Sequence, residues 1–177
     1  MRKMKCIVLA GLLVLALACT SCGSQKAEPV FSAKDNAFTI TPQGFIDYIN
    51  TIVEEQNDSR YWTIPDYAES GKAIEVKSIF LTLTLEANES GNLTKIQLDW
   101  DAKRQGTGDN IGLYISGIVY GLTENSDAIS TVLSELDMLD TEPPKYETSY
   151  SDSGVLYSYS TYGHAQYNTL TITPSSD

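Results

Sequence analysis

An α+β fold, with helices packed on one face of an antiparallel sheet, is predicted by three observations. Residues 73–87 and 93–100 alternate apolar and polar side chains on either side of a turn-forming "NESGN", the period-2 pattern of a half-buried hairpin. Residues 42–56 and 109–136 instead set apolar side chains three and four apart, as amphipathic helices do. The closing stretch "EPPKYETSYSDSGVLYSYSTYGHAQYNTLTITP" returns to alternation. The order helix, hairpin, helix pair, meander fits a diffuse repeat of helix plus hairpin.

Each element has a local reason. Phe38 and Ile40 alternate with threonines as a short extended lead-in. Thr41 is a natural N-cap, and Pro42 suits the first helical position, where its missing N–H costs nothing. Phe45, Ile46, Ile49, Ile52 and Val53 then form one apolar face, and the helix is expected to end near Gln56 and Asn57. "NDSRYWTIPDYAESG" reads as a loop. Its aromatics Tyr61, Trp62 and Tyr67 either fold over the edge of the core or contact a ligand.

One long strand is expected over residues 73–87, with Ile79, Leu81, Leu83 and Leu85 facing one way and Phe80, Thr82 and Thr84 the other. Leu93, Ile96, Leu98 and Trp100 build the return strand, with Lys95, Gln97 and Asp99 wet. Two helical stripes follow: Ile111, Tyr114, Ile115, Ile118, Val119 and Leu122, then Ile129, Val132, Leu133 and Leu136. Ser126 is the expected cap between them. Gly112, Gly117 and Gly121 each weaken the first helix by about 1 kcal/mol relative to alanine, a cost consistent with close approach to the sheet. Turns at Asp152-Ser153-Gly154 and Tyr162-Gly163-His164 separate the last strands. Val155, Tyr157 and Tyr159 share one face, as do Leu170 and Ile172.

The chain begins with Arg2, Lys3 and Lys5, then an apolar run from Cys6 to Ala18, with no acidic residue before Glu28. About 20 apolar residues are needed to span a bilayer as a helix, so the run is too short. A cationic start, a short apolar centre and small residues are the layout of a secretory signal, here residues 1–18. Ala16-Leu17-Ala18-Cys19 resembles the lipobox of bacterial lipoproteins, with Cys22 as the alternative cysteine. The resemblance implies a diacylglycerol thioether on Cys19, cleavage before it, and a protein anchored in the bacterial cell envelope, on the outer side of the cytoplasmic membrane or in the outer membrane. Two acyl chains hold a protein stably where one does not. Residues 19–37 read as a lipidated flexible tether spanning about 20–25 Å root-mean-square, and residues 38–177 as a single domain.

Removing Arg2, Lys3 and Lys5 from the 12 basic residues leaves 9 against 23 acidic ones, a net charge of −14 for the mature part. That opposes nucleic-acid binding and adhesion to anionic lipid. With Cys6 lost with the signal and Cys19 lipidated, Cys22 has no thiol to pair with, so the folded part relies on packing.

Motifs for chemistry are sparse. "EANESGNLTKIQ" puts Asn88, Ser90 and Gly91 at calcium-loop spacing, yet Glu86 and Gln97 occupy the two positions that should be Asp and bidentate Glu. A hairpin turn accounts for it better. Asp99, Asp101 and Asp109 lie near a Gly-rich loop, but Lys103 and Arg104 sit among them. His164 is the only histidine, which excludes a multi-histidine metal site. No cofactor motif is present. Late tyrosines are plentiful: Tyr146, Tyr150, Tyr157, Tyr159, Tyr162 and Tyr167. The sequence therefore points to a non-catalytic envelope binding module for a protein, peptide or glycan. Its contact residues are expected among Tyr61, Trp62, Tyr67, Tyr157 and Tyr159. The alternatives are an envelope hydrolase using His164 and a structural or assembly lipoprotein.

Overall fold

A computed structural model describes residues 29–67, 74–76, 81–138, 147–162 and 166–175. The expectations for the signal, Cys19, Cys22, Ile79, Phe80, Tyr146 and His164 lie outside the described residues.

The ordered fold starts earlier than the sequence led us to expect. β1 (Ala33–Lys34) and β2 (Ala37–Phe38) pair antiparallel across Asp35 and Asn36, whose φ values are 51° and 63°. Such left-handed pairs favour the tight turns that match strand twist, and Asp and Asn tolerate them. Phe31 is 1% exposed, and its N–H donates to Gly121 O at 3.2 Å. Its ring makes edge contacts with Phe38, Phe45 and Tyr48 at centroid distances of 6.1, 6.1 and 5.9 Å. Residues 31–37 are thus part of the packed body, a correction to the tether boundary. One buried aromatic anchors a stretch whose composition is otherwise small and polar.

α1 (Pro42–Glu55) is capped as expected: Thr41 Oγ1 accepts from Gly44 N at 3.1 Å, and Pro42 is the first helical residue. Its Phe45, Ile46, Ile49, Ile52 and Val53 are buried. The chain leaves the helix at Asn57, whose φ of 48° is left-handed.

The expected long strand is instead two. β3 (Ile74–Val76) and β4 (Leu81–Ala87) run antiparallel, pairing Ile74 with Leu83 and Val76 with Leu81. β4 and β5 (Leu93–Asp101) form the expected hairpin. Its turn is built by Asn88, whose side-chain carbonyl accepts from the Ser90 and Asn92 amides, both at 3.0 Å. A bulge at Glu86/Ala87 explains how Leu93 and Ile96, three apart, are both buried.

α2 (Thr107–Thr123) and α3 (Ser126–Glu135) follow. The cap of α3 is Asn125, whose Oδ1 accepts from Asp127 N at 3.0 Å, and Ser126 begins the helix. The glycines of α2 admit α1 and the N-terminal segment, not the sheet. A Cβ at Gly117 would stand 2.9 Å from Ile52, and one at Gly121 2.6 Å from Phe31 and 2.9 Å from Tyr48. Around Gly112 nothing lies within 4 Å.

β6 (Glu147–Asp152), β7 (Val155–Tyr162) and β8 (Tyr167–Pro174) complete the fold. Ser153 and Gly154, with φ 52° and 75°, make the tight turn between β6 and β7. Among the described residues the main sheet has six antiparallel strands in the order β3-β4-β5-β8-β7-β6. One helix precedes the first three-stranded meander and two precede the second, and the two meanders meet at the β5–β8 seam. The helices cover one face in one hydrophobic cluster with Leu81, Leu83, Leu85, Ile96, Leu98, Leu170 and Ile172. The fold is α+β, with helices on one face of the sheet.

Three tyrosines, Tyr114, Tyr157 and Tyr159, are buried in this core. Burial pushes the Tyr159 phenol up to about 12 and raises those of Tyr114 and Tyr157 further, the latter with added repulsion from Asp152 and Tyr150. Folded-state values therefore exceed the unfolded value near 10. Stability from keeping these phenols neutral is full below about pH 10 and is lost as pH rises toward the folded values. Denaturation at graded pH should show loss beginning above about pH 10, by up to about 1.4 kcal/mol per pH unit for each buried ring. A profile flat to pH 12 would place the rings in water.

Candidate functional site

The alternation that sends Leu83 and Leu98 into the core sends their neighbours to the other face, where register gathers them into rows. Asp101, Tyr167 and Tyr162 lie side by side on β5, β8 and β7. The adjoining row is Thr82, Asp99, Thr169, Ser160 and Glu147. The row after that, Thr84, Gln97, Thr171, Ser158 and Ser149, carries no charge.

At the end of the sheet these rows meet the loop between β5 and α2 in an open cleft of about 200 Å³. Thr82, Asp99, Asp101, Arg104, Tyr162 and Tyr167 all line it. Tyr162 and Tyr167 stack at 5.3 Å between ring centroids and 26° between planes. They are 60% and 43% exposed, and with Val30 they are the large apolar side chains most open to water among the described residues.

The carboxylates are held firmly. Asp99 accepts from Thr169 Oγ1 at 2.6 Å on one oxygen and from Gln97 Nε2 at 2.8 Å on the other. A carboxylate offers about four acceptor positions, so each oxygen keeps capacity for a ligand. Asp101 accepts from the Lys103 amide at 2.9 Å, from Gln166 Nε2 at 3.2 Å and from Arg104 Nε at 3.3 Å. Burial disfavours its charged form, but these three donors together outweigh it, and Asp101 titrates below the ordinary aspartate range. The Asp101–Arg104 pair thus neutralises the loop that the sequence offered for a cation. No cluster of three or more His, Cys, Asp or Glu that could hold a metal ion occurs among the described residues.

The expected contact residues fall elsewhere. Tyr157 is 1% and Tyr159 7% exposed. Tyr159 stacks on Trp100 at 5.9 Å and donates to Asn168 Oδ1 at 2.7 Å, while Tyr157 stacks on Tyr150 at 6.4 Å. Both serve the core, a correction to their assignment as contacts. Tyr61, Trp62 and Tyr67 are half-buried against the core edge, and none of them lines the cleft. Their loop is bolted down: Asn110 Oδ1 accepts from Trp62 N at 2.7 Å, Tyr114 Oη donates to Trp62 O, and Asn50 exchanges two bonds with Ile64 at 2.7 and 2.8 Å. The pair that does face water, Tyr162 and Tyr167, is signalled by strand parity. Tyr162 is out of step with Val155, Tyr157 and Tyr159, and Tyr167 is out of step with Leu170 and Ile172.

Fold and cleft define an α+β domain with one face sealed by helices and the other an open field of hydroxyls ending in an aromatic-rimmed cleft. No protein-family model, curated protein or solved structure matches the chain.

Proposed function

We propose that this chain is a non-catalytic binding module of the bacterial cell envelope, anchored by lipid at Cys19 (or Cys22), with the cleft on the open sheet face as its contact surface. The observation that carries the binding role is the stacked, water-exposed Tyr162–Tyr167 pair at the mouth of that cleft. Rigid rings with polar tips bind at low entropic cost, and exposed aromatics beside convergent polar groups mark contact surfaces. Asp99 and Asp101 are locked by intramolecular bonds, and Asp101, held below the usual aspartate range, is a poor proton donor. The net charge, −11 for the chain and −14 without residues 1–18, disfavours nucleic acid. The anchor rests on the lipobox resemblance. No described helix is long and apolar enough to cross a membrane.

Two measurements test the two parts. Replacing Cys19 and Cys22 together with serine should release the protein from the membrane fraction; undiminished attachment would remove the anchor. Full-length protein screened against arrays of defined glycans and peptides should give binding that Tyr162→Ala and Tyr167→Ala weaken. Binding indifferent to both substitutions, or none on either array, would remove the contact surface.

A further inference from the structure

Building on that contact surface, we propose that the cleft takes a neutral carbohydrate. One sugar ring lies against the Tyr162–Tyr167 stack, and further units cross the hydroxyl rows beside it. Four features converge on this class. An exposed aromatic face attracts either a cation or the apolar C–H face of a saturated ring. Asp99, held on both oxygens by Thr169 and Gln97, presents carboxylate acceptors, so the ligand must donate there. Arg104 in the same cleft, its charge matched by Asp101, can only donate, so a ligand that meets it must also accept. Asp99, with the −14 charge of the mature chain, repels an anion. A ring that carries no negative charge, both donates and accepts from adjacent atoms and presents an apolar face is a sugar.

Size and surroundings agree. About 200 Å³ is below the ~300–1,000 Å³ of sites for drug-sized ligands and suits a single ring. Beyond it, Thr84, Gln97, Thr171, Ser158 and Ser149 extend an uncharged polar strip across five strands, about 19 Å at the usual strand spacing. A polymer of the same sugar can continue along that strip, so oligosaccharides should bind more tightly than the monosaccharide. A peptide fits less well. A peptide that docks by strand addition needs a free edge, whereas the cleft centres on β5 and β8, the two innermost strands, each paired on both sides.

The test is the full-length protein in detergent on an array of neutral and acidic glycans with a peptide set, followed by affinity electrophoresis in gels containing the neutral polysaccharides bound. Retardation by a neutral polysaccharide is expected. Tyr167→Ala and Asp99→Asn should each weaken it by about tenfold or more, the scale of an aromatic hot spot, with the circular dichroism spectrum unchanged. Binding only to acidic glycans, or neutral-glycan binding indifferent to both variants, overturns the proposal. Tyr167-dependent binding to peptides alone also overturns it, while leaving the contact surface standing. Silence on every array overturns both.

Discussion

Replacing Phe31 with alanine is expected to lower the unfolding free energy by about 3–5 kcal/mol, the usual cost of emptying a phenylalanine site in a packed core. For a domain of this size that is a fall of about 10 °C in melting temperature. Phe31 meets three other rings and lies within 2.6 Å of where a Cβ at Gly121 would stand. The two positions are therefore coupled. Gly121→Ala in the native background forces the ring aside, and overpacking costs about 1–3 kcal/mol. In the Phe31→Ala background the same change meets a void and gains helix propensity, so its cost should fall or change sign. Denaturant titration of the two single variants and the double variant reads this directly. A loss under about 1 kcal/mol for Phe31→Ala would return residues 31–37 to the tether.

The second large effect is expected at Asn110. This side chain is fully buried, accepts from Trp62 N, and donates to Arg60 O at 3.0 Å and Gly106 O at 2.9 Å. Alanine there leaves the part-buried Trp62 N–H and Arg60 carbonyl without this partner, and an unsatisfied buried group costs about 1–3 kcal/mol. A loss of about 3 kcal/mol is expected, along with faster hydrogen exchange at the amides of residues 61–64. Trp62 fluorescence should shift red as the ring leaves its seat beside Gly106, where a Cβ would stand 3.3 Å from Trp62 Cζ2. Unchanged exchange at the Trp62 amide would mean that other contacts hold the loop.

These two residues also mark what the sequence conceals. The helices were legible because α1, α2 and α3 place their apolar residues at helical spacing and carry turn-forming or capping residues at their ends. The β4–β5 hairpin and the final meander were legible because alternation and turn chemistry agree. The reversal between β3 and β4 was missed because alternation seemed continuous. Yet Ile74 and Val76 are even-numbered, while Leu81, Leu83 and Leu85 are odd. No single strand buries both sets on one face without a break, so the change of parity was the signal. Parity likewise separates Tyr162 and Tyr167 from the core tyrosines, whereas counting tyrosines does not. Asn110 was beyond reach, because its partner Trp62 lies 48 positions away and no periodicity encodes a bond between a helix and a loop. Phe31 was hidden by its polar neighbours.

The two ends of β7 lie under different neighbours. At its start, Gly154 sits where a Cβ would lie 3.8 Å from Ala33, so the amino-terminal segment joins the body at that pole. Tyr162, at its other end, is about 23 Å further along at the usual rise per residue. Phe31 is the twelfth residue after Cys19, the site of the proposed thioether. Under the proposed anchor, the point of attachment and the tyrosine-rimmed mouth therefore belong to opposite poles of the domain.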